Sequence, residues 1–389
     1  MSLVLFYAIF SIIIIFLFYS YSLNYYYQSK RLVRITKNIF QHLIEKTGHC
    51  HREVLCSINY CQYTLYKMKY LQMHSSNAVA VHSLTWYLKH IGVPLAVGVT
   101  MCKLFNCVVT RRRRAALQGK VVVITGASSG IGEALAHVFY EQGSKVVLAS
   151  RRKSELERVK NDLMSKNLVW GVDPTHPLIP FRLDLAKFEE LESFVQNVYD
   201  ACGHIDILIN NGGISHRGAI LNTKIDVFKS IMAINYFGSV ALTKECLPKM
   251  VQRKTGHIVF VSSVQGLIAI PERSAYAAAK HAMQAFGDSL RAEMHQHNVN
   301  VTVVSPGYIK TAISLNAYTG SGEPHGVMDT STAAGFTPEY TANKILDGVV
   351  NKEKDLIISQ FVPNLAITLR HSVPSLYHWV MARRANKTS

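Results

Sequence analysis

From Val121 onward, two hydropathy patterns alternate along the chain. Short β-branched or aliphatic runs read as strands at Val121–Thr125, Lys145–Ser150, 179–184, 205–210, 257–262, 299–304 and 355–359. Between them, apolar positions recur every three or four residues, which predicts helices over Gly130–Gln142, 153–166, 187–201, 274–297 and 338–350. Strands separated by helices of this length cannot pair as hairpins. They imply βαβ units and one doubly wound parallel sheet covered on both faces, an α/β fold.

The first third reads differently. Residues 1–29 carry no charged side chain, and an apolar segment covers about 3–23. Tyr19, Tyr21, Tyr25, Tyr26 and Tyr27 follow as an interfacial belt, and Lys30, Arg31, Arg34 and Lys37 come next. This is the pattern of a membrane anchor, long enough to span. A cleaved signal peptide fits less well, because no basic residue precedes the apolar run. A second apolar segment, 91–109, is interrupted by Lys103 and closed by Arg111–Arg114. If both segments cross, their basic flanks lie on opposite sides, in conflict with the positive-inside rule. The expected organisation is a membrane-anchoring region over 1–114 and a folded α/β domain over 115–389.

Charge supports that division. The 389 residues have a net charge of +17, and residues 1–114 hold 14 Lys+Arg against 2 acids. The basic surplus therefore belongs mainly to the anchoring region, where anionic lipid accounts for it. The folded part shows no basic stripe with interleaved aromatics, so no nucleic-acid partner is expected. Seven cysteines without a C-x-x-C pair and histidines without an H-E-x-x-H spacing give no support for a metal site. Of the histidines, His216 is the one whose position suits an active-site mouth.

The segment from Val121 to Gly132 places Gly126, Gly130 and Gly132 between the first strand and the first helix. Gly126 permits a tight turn, Gly130 a close backbone approach to a pyrophosphate, and Gly132 close helix–strand packing. The helix N-terminus adds amide donors and a positive dipole end. At the end of the second strand, an NAD enzyme would carry an acid for the ribose hydroxyls. Ser150, Arg151 and Arg152 stand there instead. An Arg pairs with a 2′-phosphate, so NADP(H) is favoured over NAD(H). Further on, Tyr276 and Lys280 are four apart and share a helical face. An ammonium near a phenol favours the phenolate and draws its pKa toward the working range.

The G-x-x-x-G-x-G spacing resembles the short-chain dehydrogenase/reductases, and the remaining motifs follow in that family's order. The resemblance implies a single Rossmann-type sheet. It also implies a catalytic set of Asn235, Ser263, Tyr276 and Lys280. Tyr276 would donate a proton to a carbonyl oxygen, Ser263 would hold that oxygen, and Lys280 would hold the nicotinamide ribose. Asn235 would position a water linking Lys280 to solvent. The implied cofactor set is Gly126, Ser128, Ser129, Gly130, Ile131, Gly132, Ser150, Arg151, Asp184, Leu185, Asn211, Gly212, Tyr276, Lys280, Pro306, Gly307, Ile309 and Thr311. Asp184 would contact the adenine and also serve as a cap before Ala186. Asn210-Asn-Gly-Gly213 departs from the family's Asn-Asn-Ala-Gly at Gly212, at a cost of no more than roughly 1 kcal/mol.

Residues 235–244, 262–266, 273–281 and 326–332 resemble more closely one branch of the family, the membrane-anchored dehydrogenase/reductase member 7B group. That resemblance covers about 88–389, and its members' anchor matches 91–109. It implies an enzyme that reduces a lipophilic ketone or oxidises the matching secondary alcohol, the substrate a lipid-linked ketone, a steroid or a retinoid. It further implies an endoplasmic-reticulum membrane location, with the peroxisomal membrane as the alternative. Homodimers would form through helices near 225–250 and 274–297, with Ala277, Ala278, Ala279 and Ala282 permitting close approach. A catalytically silent nucleotide-binding scaffold is the competing reading. Residues 316–336, rich in glycine, are expected to close over substrate.

Overall fold

The computed structural model describes residues 86–165 and 178–386. The apolar segment at 3–23 and the stretch to residue 85 lie outside the described residues. Seven strands form one parallel sheet: β1 (Val121–Thr125), β2 (Lys145–Ser150), β3 (Ile179–Arg182), β4 (Ile207–Asn210), β6 (Gly256–Val261), β7 (Val299–Pro306) and β9 (Asp355–Ile358). Their order is β3-β2-β1-β4-β6-β7-β9. β5 (His216–Arg217) and β8 (Tyr318–Thr319) pair separately as a two-residue parallel ladder.

All residues of β1, β4 and β6 are buried, which explains why these strands read as unbroken apolar runs rather than alternating ones. One face of the sheet packs against α4 (Leu191–Cys202), α5 (Ile225–Met232), α6 (Gly238–Gln252) and α7 (Ser274–Met294). Phe194, Ile231, Leu242, Met250, Phe260 and Leu290 lie in that core. The other face packs against α2 (Gly130–Glu141), α3 (Lys153–Ser165) and α9 (Pro338–Asn351), with Leu135, Phe139, Leu156, Leu163, Ile345 and Leu346 between the layers. The chain builds outward from β1 to β3 and then returns to place β4 on the opposite side of β1. The crevice at the carboxyl ends of β1 and β4 is therefore the topological switch point, where such sheets take ligands.

The strands match the hydropathy reading to within two residues, the largest differences being that β3 stops at Arg182, β4 starts at Ile207 and β7 runs on to Pro306. The helix expected from 187 opens as a 3₁₀ turn over Phe188–Glu190 before α4 begins. α5 and α6 are joined by a π-helical turn, Ala233–Phe237. Past β9, α10 (Phe361–Ser372) and α11 (Pro374–Ala385) form a helical pair, and a short α8 (Thr330–Ala333) lies within the segment after β7.

The chain divides into two compact units between Val109 and Thr110. Among the described residues, two helical stretches are apolar enough by length and composition to cross a membrane: His90–Ala115, of mean hydropathy 1.7, and Ile225–Gln252, of 1.3. The second buries Ile231, Leu242, Cys246 and Met250 in the core, so it is a core helix. The first includes α1 (Val93–Ala115), whose Leu95, Val99 and Phe105 are exposed. Its basic end does more than flank an apolar segment. Arg114 pairs with Asp347 of α9 at 2.6 Å, and Arg113 donates to Asn351 Oδ1 at 2.9 Å. Both acceptors belong to the same unit as these arginines.

Candidate active site

The glycine loop owes its shape to contacts that only glycine permits. Gly126 and Gly130 have φ of +67° and +60°, the left-handed region that costs other residues about 1 kcal/mol or more. Gly132 has ordinary backbone, but a Cβ there would lie 2.2 Å from Gly126 O. Thr125 ties the loop to the end of β4: its Oγ1 accepts from Asn211 N at 3.0 Å and Gly212 N at 2.9 Å. The Asn211 side chain returns a bond to Thr125 O at 3.0 Å. Nothing in the residue pattern marked Thr125, whose hydroxyl sits inside an apolar strand.

A Cβ at Gly212 would meet Leu185 Cδ1 at 2.7 Å, the movable end of a side chain. The family's alanine therefore fits here if Leu185 adjusts. The loop after β7 closes the crevice, since Thr311 Cγ2 lies 3.0 Å from where a Gly130 Cβ would stand. Gly307 N bonds Ile358 O, and Ile309 bridges to Phe336. Ile131, Pro306, Gly307, Ile309 and Thr311 all line one cavity of about 400 Å³ together with Ser263, Tyr276 and Lys280.

At the end of β2, Arg152 Nη2 donates to Ser128 Oγ and to Ser129 Oγ, both at 3.1 Å. Arg151 and Arg152 are both exposed, and it is the Arg152 guanidinium that reaches the loop. The Ser150 hydroxyl is buried with no hydrogen-bond partner among the described residues. Asp184 accepts from Ala186 N at 3.1 Å, the expected cap. A glycine cradle that a Cβ would fill, an orphaned serine hydroxyl and an arginine over two further hydroxyls fit a nicotinamide dinucleotide.

The polar side chains of the cavity come from three elements. Ser263 follows β6, with its Oγ accepting from Gln265 N at 3.1 Å. Tyr276 and Lys280 sit in the first two turns of α7, both buried, and Tyr276 lies beside Ser263. Lys280 Nζ donates to Val261 O at 2.8 Å and stands 5.7 Å from the centre of the Tyr276 ring. Burial pushes the Tyr276 phenol above its ordinary value, against the lowering influence of Ser263 and of the Arg217 charge. Burial also brings Lys280 down to about 8. The sequence suggested a phenol drawn downward by Lys280. Among the protein's own groups desolvation outweighs that attraction, because both side chains are removed from water.

Asn235 lies in the π-helical turn, a geometry that aims one side chain out of helical register. Its amide makes a two-way clamp on Ile214, accepting from N and donating to O, each at 2.8 Å. A Cβ on Gly213 would lie 2.9 Å from Asn235 Oδ1 and 3.7 Å from Lys280 Nζ. Asn235 thus fixes the main chain where it passes Lys280.

Four charged residues of the cavity, Arg217, Glu272, Arg273 and Asp329, escaped the sequence reading. Arg217 Nε donates to Asp329 Oδ2 at 3.0 Å, and Arg273 Nη2 reaches the same oxygen at 3.4 Å. All four line the cavity. Two guanidinium groups share one carboxylate, and burial with Arg217 nearby lowers Arg273 to about 10. His216 does not line the cavity. It is fully buried behind Arg217, with Nε2 3.2 Å from Thr223 Oγ1. The one signal for Arg217 was its place beyond β4, beside the strand that carries Asn210 and Asn211. Asp329 is 112 residues away and only the fold brings it close.

Away from the cavity, Glu133, His137 and Asp162 bring ligand atoms within 4.8 Å of one another across α2 and α3. Glu133 is already held on both oxygens by Arg158, at 2.9 Å each. The sequence, searched for local spacing, expected no metal site and passed over this grouping.

A parallel sheet with its switch point at a glycine loop, and a Ser–Tyr–Lys group beside it, define a nicotinamide-dependent oxidoreductase. The short chain dehydrogenase family model matches residues 120–320, and the chain belongs to that family. It is 54% identical over 302 residues to a dehydrogenase/reductase SDR family protein 7-like of Anopheles gambiae, covering 78% of this chain and 94% of the relative. It is 46% identical over 296 residues to dehydrogenase/reductase SDR family member 7B of Bos taurus, covering 76% and 90%. Among solved structures, a short chain dehydrogenase/reductase of Burkholderia phymatum in complex with NAD aligns with a TM-score of 0.59 at 22% identity. That alignment covers 67% of this chain and 95% of that one.

Proposed function

We propose that the protein is a membrane-anchored, NADP(H)-dependent reductase of a lipophilic ketone, running also in the alcohol-oxidising direction. The observation that carries the reading is the contact of Arg152 with Ser128 and Ser129 beside the orphaned Ser150 hydroxyl. No acid stands at the end of β2 to receive a ribose 2′-hydroxyl, and a 2′-phosphate is the group an arginine there pairs with.

The glycine loop, Arg152, the Pro306–Thr311 loop and Lys280 would hold the cofactor, which would supply the hydride for carbonyl reduction. The chain's own residues manage the oxygen. Tyr276 donates the proton, and its raised pKa keeps it protonated at neutral pH, as an acid must be. Ser263 hydrogen-bonds the same oxygen and stabilises its developing charge. Lys280, with Asn235 fixing the chain beside it, supplies positive charge when protonated. Its value near 8 lets it release a proton close to neutral pH.

Arg217, Arg273 and Arg384 line the cavity against two carboxylates, Asp329 and Glu272, which leaves surplus positive charge on its wall. Within the lipophilic class this favours a lipid-linked ketone with an anionic group over a neutral steroid or retinoid. The apolar exposed α1 supports anchoring, which suits substrates dissolved in a bilayer, and an endoplasmic-reticulum membrane is the proposed location. A homodimer through α6 and α7 has Ala278 and Ala282 available, while Ala277 and Ala279 are buried within the chain.

The test is binding of NADPH and NADH to detergent-solubilised protein and to Arg152→Ala. Loss of a charge-assisted contact of about 1.5–3 kcal/mol weakens NADPH roughly 10- to 100-fold and leaves NADH nearly unchanged. Equal weakening of both cofactors, or of neither, contradicts the assignment. A nucleotide-binding scaffold would pass this test and then fail to turn over any ketone.

A further inference from the structure

The helical pair α10–α11 has few of its side chains covered. Of its residues only Pro363 and Tyr377 are buried, while Phe361 is 77%, Val362 72% and Trp379 51% exposed. Leu365, Leu376 and Val380 are exposed as well. On α11, Leu376, Trp379 and Val380 follow i, i+3, i+4 spacing and share one face. An unpartnered apolar surface of this kind marks an interaction site.

The pair is fixed at its root. Gln360 exchanges hydrogen bonds with the main chain of Tyr308, donating to O at 2.9 Å and accepting from N at 3.3 Å. Tyr377 donates its hydroxyl to Ala269 O at 2.7 Å. Both attachment points flank the cavity, which Arg384 of α11 itself lines. The exposed face is thus held rigidly next to the mouth through which substrate enters.

Charge identifies the occupant. From Leu356 to Ser389 there is no acidic residue, while Arg370, Arg383 and Arg384 punctuate the two helices and Lys387 follows them. Arg383 stacks over the Trp379 ring at 3.8 Å. An apolar face with an aromatic at its border, only basic groups along it and no acid is the composition of a helix lying in the headgroup layer of a membrane. A protein partner would not require the absence of acids.

We propose that α10–α11 is a second membrane contact, lying flat on a bilayer that contains anionic lipid and opening the substrate cavity toward it. This rests on the membrane reading above and assigns the contact to a part of the chain remote in sequence from the anchor.

The test uses the full chain with Trp86→Phe and Trp170→Phe, which leaves Trp379 as the sole tryptophan. The protein is reconstituted in vesicles of phosphatidylcholine with phosphatidylserine, and flotation measures anchoring separately. Brominated acyl chains are expected to quench Trp379 emission several-fold and phosphatidylcholine alone to reduce the effect. Leu376→Glu with Trp379→Glu should raise KM for a vesicle-dissolved ketone on the order of tenfold, with kcat/KM on a short soluble ketone kept. Vesicles that float with protein whose Trp379 is unquenched and red-shifted overturn the proposal and leave anchoring intact. A blue-shifted but unquenched Trp379 overturns it in favour of contact with a second copy. Protein that does not float overturns both.

Discussion

Replacing Asn235 by alanine removes both ends of the clamp on Ile214. The side chain is 1% exposed and its two bonds are 2.8 Å long, so the Ile214 N–H and C=O lose partners at a site water reaches poorly. Leaving a buried polar group unpaired costs about 1–3 kcal/mol, and two such groups together cost roughly 2–4 kcal/mol once the space left by the side chain relaxes. For a domain of this size that is a fall in Tm on the order of 5–15 °C. Asn235→Asp separates the two bonds. It keeps an acceptor for Ile214 N but sets a carboxylate oxygen against Ile214 O, and should destabilise at least as much. Thermal unfolding by circular dichroism, with NADPH affinity measured alongside, gives the answer. If both variants melt within about a degree of wild type and lose only turnover, the clamp is not structural and the reasoning fails.

Gly132→Ala forces a Cβ to 2.2 Å from Gly126 O; the backbone cannot yield cheaply, so a loss of about 1–3 kcal/mol with weakened NADPH binding is expected. Gly212→Ala meets the movable end of Leu185 at 2.7 Å and, less tightly, Thr125 Oγ1 at 3.3 Å, so it should cost less than Gly132→Ala, and equal losses in urea titrations of the two variants would contradict the packing account. Lys280 has its folded value lowered from 10.5 to about 8, so charging it opposes folding fully below about pH 8 and not at all above 10.5. Lys280→Met should therefore raise stability at pH 7 by roughly 2 kcal/mol while abolishing turnover, and a lower Tm would refute the sign. His257, buried in β6 with Nε2 2.8 Å from Thr302 Oγ1, is lowered to about 4 by burial. Stability is lost as pH falls from 6.5 through 4, by about 3 kcal/mol for this residue, and an equally steep acid limb in His257→Gln would count against it.

What the sequence revealed and what it hid follow from the range of the forces involved. The strands were legible because β1, β4 and β6 are buried on both faces and leave unbroken apolar runs. The cofactor end was legible because Gly126, Gly130 and Gly132 answer to backbone geometry within one turn. Tyr276 and Lys280 were legible because a helix fixes their spacing. The arginine pair was not, since Arg217, Arg273 and Asp329 meet only after β5 pairs with β8 and the segment after β7 folds back. Nor was the direction of the phenol's shift, which depends on how deeply α7 is buried rather than on which residue lies four positions away. That Arg152 rather than Arg151 reaches Ser128 and Ser129 depends on how the chain turns between β2 and α3, beyond what residue types disclose. The tail's apolar residues were visible in sequence, but their exposure required the fold.

The central claim is that Tyr276, aided by Ser263 and Lys280, protonates a carbonyl oxygen at the expense of NADPH. The most direct measurement is NADPH oxidation by detergent-solubilised full-length protein against long-chain ketones with and without an anionic group, with Tyr276→Phe and an NADH control beside it. The account predicts ketone-dependent oxidation, faster with NADPH and with the anionic ketones, and lost in Tyr276→Phe while NADPH still binds. Turnover that survives in Tyr276→Phe, or NADPH that binds tightly with no ketone ever reduced, would contradict it.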